Sequence, residues 1–141
     1  MQPGLIEERP ATKKMLQFLV SDLGFPQDVA AFSSVRARTR CLSVCWTSDV
    51  ALVRSTDTVN YTVGKIALFF SIGGQAFALM DMWKHNSTDS ENGCAVWEQT
   101  DNPTLCDLDD LLMPVTWAET QRGFAKTLIP YEFRGLTAMP S

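Results

Sequence analysis

Residues 65–83 decide the fold and read KIALFFSIGGQAFALMDMW. Two apolar runs of strand length flank Gly73 and Gly74. A two-residue glycine connection suits a type I′ or II′ turn, because glycine adopts positive φ without steric cost. The β-branched and aromatic side chains favour strands, whereas a continuous helix would carry both glycines at a cost of about 1 kcal/mol each. The stretch therefore predicts an antiparallel β-hairpin.

Both faces of this predicted hairpin are apolar, because side chains alternate along a strand. One face carries the larger pairs: Ile72 with Gln75, Phe70 with Phe77, Leu68 with Leu79, and Ile66 with Asp81. The other carries smaller or more flexible residues: Ser71 with Ala76, Phe69 with Ala78, Ala67 with Met80, and Lys65 with Met82. A hairpin that is apolar on both faces must be covered on both. We expect the large-residue face to line a barrel and the Ala/Met face to lie under a helix.

A helix is predicted near the start of the chain. Thr12 can cap it, Gly24 stands where a C-terminal glycine belongs, and Phe25-Pro26 ends it. Its apolar residues recur at helical spacing, at Met15, Leu16, Leu19, Val20 and Leu23. A further short helical turn is expected over 27–32.

Short strands separated by turn signals account for most of the remaining chain. They are expected over 35–46, 50–53, the two arms of the hairpin, 94–99 and 124–129. Residues 84–93 are polar and indicate a surface loop. Residues 105–113 fit either one helical turn, capped by Asp107 or Asp109, or an edge strand. The pattern predicts a mainly β (α+β) fold: a small, bent β-barrel of about six strands with one or two N-terminal helices packed on it.

The predicted organisation is one domain with short ends: a flexible lead-in at 1–10, an N-terminal helical segment at 11–32, the β-barrel domain at 35–130 and a C-terminal tail at 131–141. A length of 141 residues and a hydrophobic content of 45% suit one domain with a substantial core. No run approaches the roughly 18 apolar residues of a membrane span, so no membrane association is expected. The N-terminus has neither a basic start nor a hydrophobic region. We therefore expect an intracellular protein, cytoplasmic or nuclear, whose cysteines are reduced thiols.

Charge is unevenly placed along the chain. Residues 1–70 hold eight basic and six acidic residues, whereas 71–141 hold four basic and ten acidic residues. The stretch 81–119 alone has nine acidic residues against Lys84. This balance does not suit a general nucleic-acid binder, which needs a basic footprint. An acidic second half would attract a basic partner.

Three arginines run against this trend. Arg36, Arg38 and Arg40 alternate with small residues, which is a strand period, and would present three cations on one face about 6.6–7 Å apart. They fit either a solvated strand face that pairs with the acidic second half or a phosphate-contacting stripe. No aromatic residues interleave with them along the chain, so the stacking half of a single-strand-binding surface is missing.

The sequence contains no catalytic motif, and we expect no cofactor and no bound metal. The four cysteines and His85 would supply enough soft ligands for zinc, but their spacings do not form paired knuckles. A nucleophilic site would need His85 beside a cysteine such as Cys94 or Cys106. The aspartates of 107–110 would suit acid–base or Mg²⁺ chemistry, and the simpler interpretation is that they cap or solvate the turn.

Trp83 and Trp97 mark the candidate partner-binding site. Trp83 ends the second hairpin strand, and Trp97 lies on the strand that returns from the polar loop, so the two are expected to be neighbours at one end of the barrel. With Asp81, His85 and Glu98 they would form an acidic, aromatic mouth suited to a basic peptide or a methylated ammonium. A place in the core is the alternative for both indoles.

The hairpin also resembles a known family. Residues 63–70 followed by 75–83 look like the opening hairpin of bromo-adjacent-homology and related small-barrel domains, in which a glycine-led strand precedes one that ends in an aromatic. Residues 103–115 are similar to the later segment of those domains, and similar hairpins occur in captured transposon-encoded proteins. The resemblance spans 60–130 and implies a chromatin-associated or protein-binding module without enzymatic activity. The sequence departs from it in lacking a recognisable complete aromatic cage.

We therefore predict a non-enzymatic binding module that recognises a protein or basic peptide. Two alternatives stay open. One is a nucleic-acid-binding accessory domain of a mobile-element-derived protein that uses Arg36, Arg38 and Arg40. The other is a small enzyme with a Cys/His or Asp site. A homo-oligomer is compatible with each.

Overall fold

A computed structural model of the chain describes residues 2–54, 61–89 and 91–129. In these ranges the chain forms one α-helix, one 3₁₀ helix and fourteen β-strands. The strands form three antiparallel sheets, and none of these described sheets closes into a barrel. The mainly β fold is therefore confirmed, and the predicted small barrel is not. No helix in the described part of the chain is long and apolar enough to cross a membrane.

The elements follow the chain in a simple order, with the only described α-helix, α1, at Lys13–Ser21. The strands are β1 Gly4–Leu5, β2 Arg9–Pro10, β3 Ala31–Ser34, β4 Arg36–Arg38, β5 Val44–Trp46, β6 Val50–Arg54, β7 Tyr61–Ile72, β8 Gln75–Met82, β9 Lys84–Asp89, β10 Cys94–Glu98, β11 Pro103–Asp107, β12 Leu111–Pro114, β13 Trp117–Gln121 and β14 Phe124–Leu128. The 3₁₀ helix, Leu108–Asp110, lies between β11 and β12. The sheet orders are β1-β4-β5, β13-β14-β10-β9, and β11-β8-β7-β3-β2, with β6 pairing both β7 and β12.

The central hairpin of β7 and β8 forms where the sequence predicts it. Gly73 and Gly74 make its turn with φ of 62° and 82°, and both central residues of a type I′ turn need positive φ. From the turn as far as Leu68 opposite Leu79, the predicted cross-strand pairs are confirmed. The local turn chemistry therefore determines this part of the register.

A β-bulge at Ala67 changes the register beyond that point. The pairing shifts there, so that Ile66 lies opposite Met80. Lys65 lies opposite Asp81. Three predicted pairs are therefore wrong: Ile66 with Asp81, Ala67 with Met80, and Lys65 with Met82. A bulge inserts one extra residue into one strand, and the small, exposed Ala67 leaves no break in the apolar pattern that would reveal it.

The helix α1 covers the large-residue face of the hairpin, which is the reverse of the prediction. Leu19 is fully buried in one core cluster with Phe70 and Ile72. Phe25, which follows the helix, places its ring 5.7 Å from that of Phe70 and 5.6 Å from that of Phe77. Aromatic pairs at such distances stabilise by about 0.5–1.5 kcal/mol beyond their buried area. These contacts favour the large-residue face as the docking side for α1.

The Ala/Met face of the hairpin meets short strands instead of the helix. Ile66, Phe69, Ala78 and Met80 lie in a middle core cluster together with residues of β4, β5, β6, β11, β12 and the 3₁₀ helix. Several members of this cluster are alanines or cysteines, and small side chains let neighbouring strands pack closely on this face.

A third core cluster joins β6 and the first half of β7 to the sheet β13-β14-β10-β9. Its buried members are Val50, Leu52, Tyr61, Val63, Trp83, Ala95, Trp97, Leu112, Val115, Ala125 and Ile129. The strand β7 therefore contributes side chains to all three clusters.

Two stretches that were each predicted as one element, residues 35–46 and 84–93, form a different structure. Residues 35–46 form two strands, since Leu42 adopts a φ of 61° and the chain reverses between β4 and β5. In the polar stretch 84–93, predicted as a loop, Lys84–Asp89 form β9, which pairs with β10, and residues 91–93 form a turn. A polar strand is stable there because it lies at a sheet edge and faces water.

The structure also decides the local predictions for residues 1–10, 27–32 and 105–113. The helical turn expected over 27–32 does not form, and β3 begins at Ala31. Both interpretations of 105–113 hold in part, because β11 runs into the 3₁₀ helix and Asp107 caps that helix by accepting a hydrogen bond from the backbone of Asp109. The expected lead-in at 1–10 contributes β1 and β2. The predicted tail, 131–141, lies outside the described residues.

Gly64 offers a test of this packing. A Cβ at this position would lie 2.7 Å from Sδ of Met82 and 3.0 Å from the carbonyl oxygen of Asp81. Overpacking typically costs about 1–3 kcal/mol, so we expect Gly64→Ala to lower the free energy of unfolding by about that amount in urea denaturation. Gly4→Ala is the matched control, because nothing lies within 4 Å of a Cβ there. Equal urea midpoints for the two variants would contradict the packing.

Candidate functional site

The two tryptophans of the predicted binding site lie in the core. Trp97 is fully buried, Trp83 is 6% exposed, and both belong to one core cluster. Trp97 donates a hydrogen bond from Nε1 to Oγ1 of Thr127 over 2.9 Å, and the ring of His85 lies 5.2 Å from that of Trp97. The ring of Trp83 lies 5.5 Å from that of Trp117. The structure thus groups the two indoles, and it groups them inside the core.

The two acidic residues of that predicted site each face a lysine. Glu98 is exposed and lies opposite Lys84 across the β9–β10 pair. Asp81 is partly exposed and lies opposite Lys65 across the β7–β8 pair. Opposite charges across a strand pair attract each other, which lowers the negative charge that this region presents to a basic peptide.

The three arginines do not share one strand. Arg36 and Arg38 lie on the outward face of β4, and Arg40 lies in the turn that follows. Thr39 holds this turn, because its buried Oγ1 donates a hydrogen bond to the carbonyl of Leu112 over 2.6 Å. The predicted strand-spaced stripe of three cations is therefore reduced to two strand cations and one turn cation.

Trp46 supplies the aromatic side chain that the linear sequence lacks beside these arginines. It lies on β5 directly opposite Arg36 and is 48% exposed. Its ring centroid lies 5.2 Å from the guanidinium carbon of Arg36, a cation–π contact. Of the four tryptophans, all within the described ranges, only Trp46 is exposed. Sequence periodicity missed it because the pairing depends on the chain reversal between β4 and β5.

The exposed and partly exposed side chains of the hairpin formed by β4 and β5 make the main candidate surface. We call it the hairpin surface and define it by Val35, Arg36, Arg38, Arg40, Leu42 and Trp46. Among the described residues, five large hydrophobic side chains are exposed, and three of them belong to this surface. Single exposed apolar side chains are normal, whereas three within one short segment, residues 35–46, suit an interaction site.

A groove of about 490 Å³ begins beside the hairpin surface and shares two residues with it, Val35 and Arg36. Its apolar lining comes from the β1–β2 connection, α1 and β7, at Ile6, Met15, Leu68 and Phe69. Its polar lining comes mainly from Glu7, Arg9, Ser33, Ser34, Thr47 and Arg36. Glu7 and Arg36 form an ion pair, with Oε1 and a guanidinium nitrogen 3.0 Å apart.

Two buried cysteines are poor nucleophiles, and one of them, Cys106, is a residue named for the enzyme alternative. Burial, with a smaller effect of the Asp110 carboxylate, raises the pKa of Cys106 to about 11. Burial, with a smaller effect of Asp49, raises the pKa of Cys45 to about 12. Both thiols are therefore protonated at neutral pH, and the thiolate is the reactive form.

The aspartates of 107–110 make structural contacts. Asp107 accepts a hydrogen bond from Nε2 of Gln75 over 2.9 Å. Asp110 pairs with Arg54 at 3.1 Å. In the described ranges no group of three or more His, Cys, Asp or Glu side chains is placed to hold a metal ion.

No protein-family model matches this chain, and no curated protein sequence matches it significantly. The resemblance to bromo-adjacent-homology domains, with its chromatin and transposon associations, therefore stays a prediction.

Cys41 should be the reactive thiol of the folded protein. All four cysteines are free, and only Cys41 is exposed. We expect DTNB to modify one thiol promptly at mildly alkaline pH and the other three only on unfolding, because access and thiolate content set the rate. Cys41→Ser should remove the fast phase, and Cys94→Ser should leave it. Rapid modification of a second thiol would contradict the burial of the others and would favour the enzyme alternative.

Proposed function

We propose that this protein is a non-enzymatic binding module that contacts a protein partner through the hairpin surface. The observation that carries the proposal is the grouping of exposed Trp46, Val35 and Leu42 with arginines. Trp and Arg are enriched at binding hot spots, whereas Lys and Glu are depleted at interfaces. Residues 35–46 hold three arginines, no lysine and no acidic residue.

The charge of this surface favours an acidic partner segment. Arg38 and Arg40 add two positive charges beside the Arg36–Trp46 contact, and complementary charge steers association and selects partners. A basic peptide, predicted from the acidic second half of the chain, would instead need the region of Trp83 and Trp97. The support for that region is weaker, because both indoles are buried.

A second candidate function is binding to single-stranded nucleic acid. The observation that favours it is the exposed ring of Trp46 next to Arg36, since such surfaces combine base stacking with phosphate contacts. The exposed aliphatic side chains Val35 and Leu42 have no role in phosphate binding, and they favour the protein partner.

The hairpin surface can be tested with a short fluorescein-labelled peptide rich in Asp and Glu. We expect binding by anisotropy, and we expect Trp46→Ala and Arg38→Ala each to weaken it by about tenfold, the size of a modest hot spot. Leu128→Ala and Arg122→Ala are matched controls, because both residues are exposed outside the hairpin surface. Equal losses in all four variants, or no binding by the wild type, would reject the proposal.

The nucleic-acid candidate has a separate signature. An oligothymidylate should then bind at low salt, with an affinity that falls as salt rises and with a shallower salt dependence in Arg38→Ala, because that variant loses a phosphate contact. The measurement is anisotropy across a salt series. An oligothymidylate that does not bind at low salt would exclude this candidate.

A further inference from the structure

We propose that the groove beside the hairpin surface is the anchor site for the acidic partner segment: an apolar side chain of that segment enters the groove, and a neighbouring carboxylate replaces that of Glu7 on Arg36. The inference rests on the proposed function and adds to it the chemistry of the partner. The segment is extended, and it carries an apolar residue next to Asp or Glu.

The volume and lining of the groove suit an apolar side chain. Its volume of about 490 Å³ lies within the roughly 300–1,000 Å³ of typical ligand pockets. Met15 and Leu68 line it, and both are only partly buried by the core cluster under α1. A methionine adapts its shape to different side chains. The groove thus offers apolar area that residues 2–54, 61–89 and 91–129 leave uncovered.

The contact between Glu7 and Arg36 shows that this guanidinium accepts a carboxylate. The side chain of Glu7 is 78% exposed and that of Arg36 is 29% exposed, so the carboxylate lies on the outside of the pair. An exposed ion pair contributes little to stability, and it can be exchanged for another at small cost. A partner carboxylate that is anchored by an adjacent apolar side chain would compete effectively for the same guanidinium.

The rest of the groove lining also places a cation near apolar side chains. Arg9 lies on β2 at one part of the lining, opposite Ser33 on β3. Val35 belongs to both the groove and the hairpin surface, so a bound segment can continue from the groove toward Trp46. The cations of the lining and the apolar side chains between them favour a partner segment in which acidic and apolar side chains alternate.

The partner side of the inference can be tested with two labelled peptides of Asp, Glu and Ser that differ only in a central Leu or Gly. We expect the Leu peptide to bind the wild type about tenfold tighter or more, because burying one leucine favours binding by that factor. Met15→Glu and Thr47→Glu, two variants of the groove lining, should remove this gain. Gln17→Glu is the matched control, because it adds the same single negative charge at an exposed position of α1 outside the groove lining.

A substitution of Glu7 tests whether a partner carboxylate replaces that of Glu7 on Arg36. Glu7→Gln keeps the side-chain length at a residue with a φ of 52° and removes the intramolecular competitor. We expect it to raise the affinity for both peptides by up to about fivefold, the range of an exposed ion pair. Arg36→Ala should abolish the benefit. A purely structural role of the ion pair predicts unchanged or weaker binding in Glu7→Gln.

The outcomes separate the two proposals. If neither peptide binds, the proposed function fails. If both bind equally, Trp46→Ala weakens both, and Glu7→Gln has no effect, the proposed function holds and the groove inference is overturned. If sedimentation shows a self-associating wild type that Met15→Glu and Thr47→Glu convert to monomers, a second copy of the chain covers the groove, and the acidic partner is overturned there.

Discussion

The β-bulge at Ala67 determines which core cluster each part of β7 enters. Without it, Ile66 would share a face with Phe70 and Ile72, because side chains alternate along a strand. With it, Ile66 and Phe69 both face the middle cluster, while Phe70 and Ile72 face α1. A strand buried on both faces has no freedom to slip in register. All three clusters therefore depend on this one irregularity.

The middle cluster in turn shapes the surface that we propose for binding. Ala37 and Cys45 are fully buried in it, so alternation along β4 and β5 places Arg36 and Trp46 on the outside as a cross-strand pair. The buried hydroxyl of Thr39 ties the connecting turn to β12. Buried side chains of the same hairpin therefore fix the position of the hairpin surface. A binding surface that is fixed in this way loses little conformational entropy when a partner binds.

Burial also gives different roles to residues of the same type. Trp97 satisfies its indole N–H on Thr127 inside the core, whereas Trp46 keeps its ring exposed over a guanidinium. The same holds for charge. The acidic stretch 81–119 faces lysines at Asp81 and Glu98. Residues 35–46 contain no acidic residue, and Arg36 pairs instead with the exposed Glu7. The net charge of a whole segment therefore does not predict the charge of one site within it.

Local chemistry alone determined the hairpin turn, the Thr12 cap of α1, and the strands β6, β10 and β14, because glycine φ, side-chain capping and apolar alternation act within a few residues. Only the tertiary structure decided the bulge, the division of 35–46 into two strands, the pairing of polar β9, and the side of the hairpin that α1 covers. Each of these depends on a partner distant in sequence. The groove is the clearest case, since Ile6, Arg36 and Leu68 meet only when β1, β4 and β7 are assembled. The candidate site was therefore predictable from the sequence as far as its arginines, but not in the tryptophan and groove that accompany them.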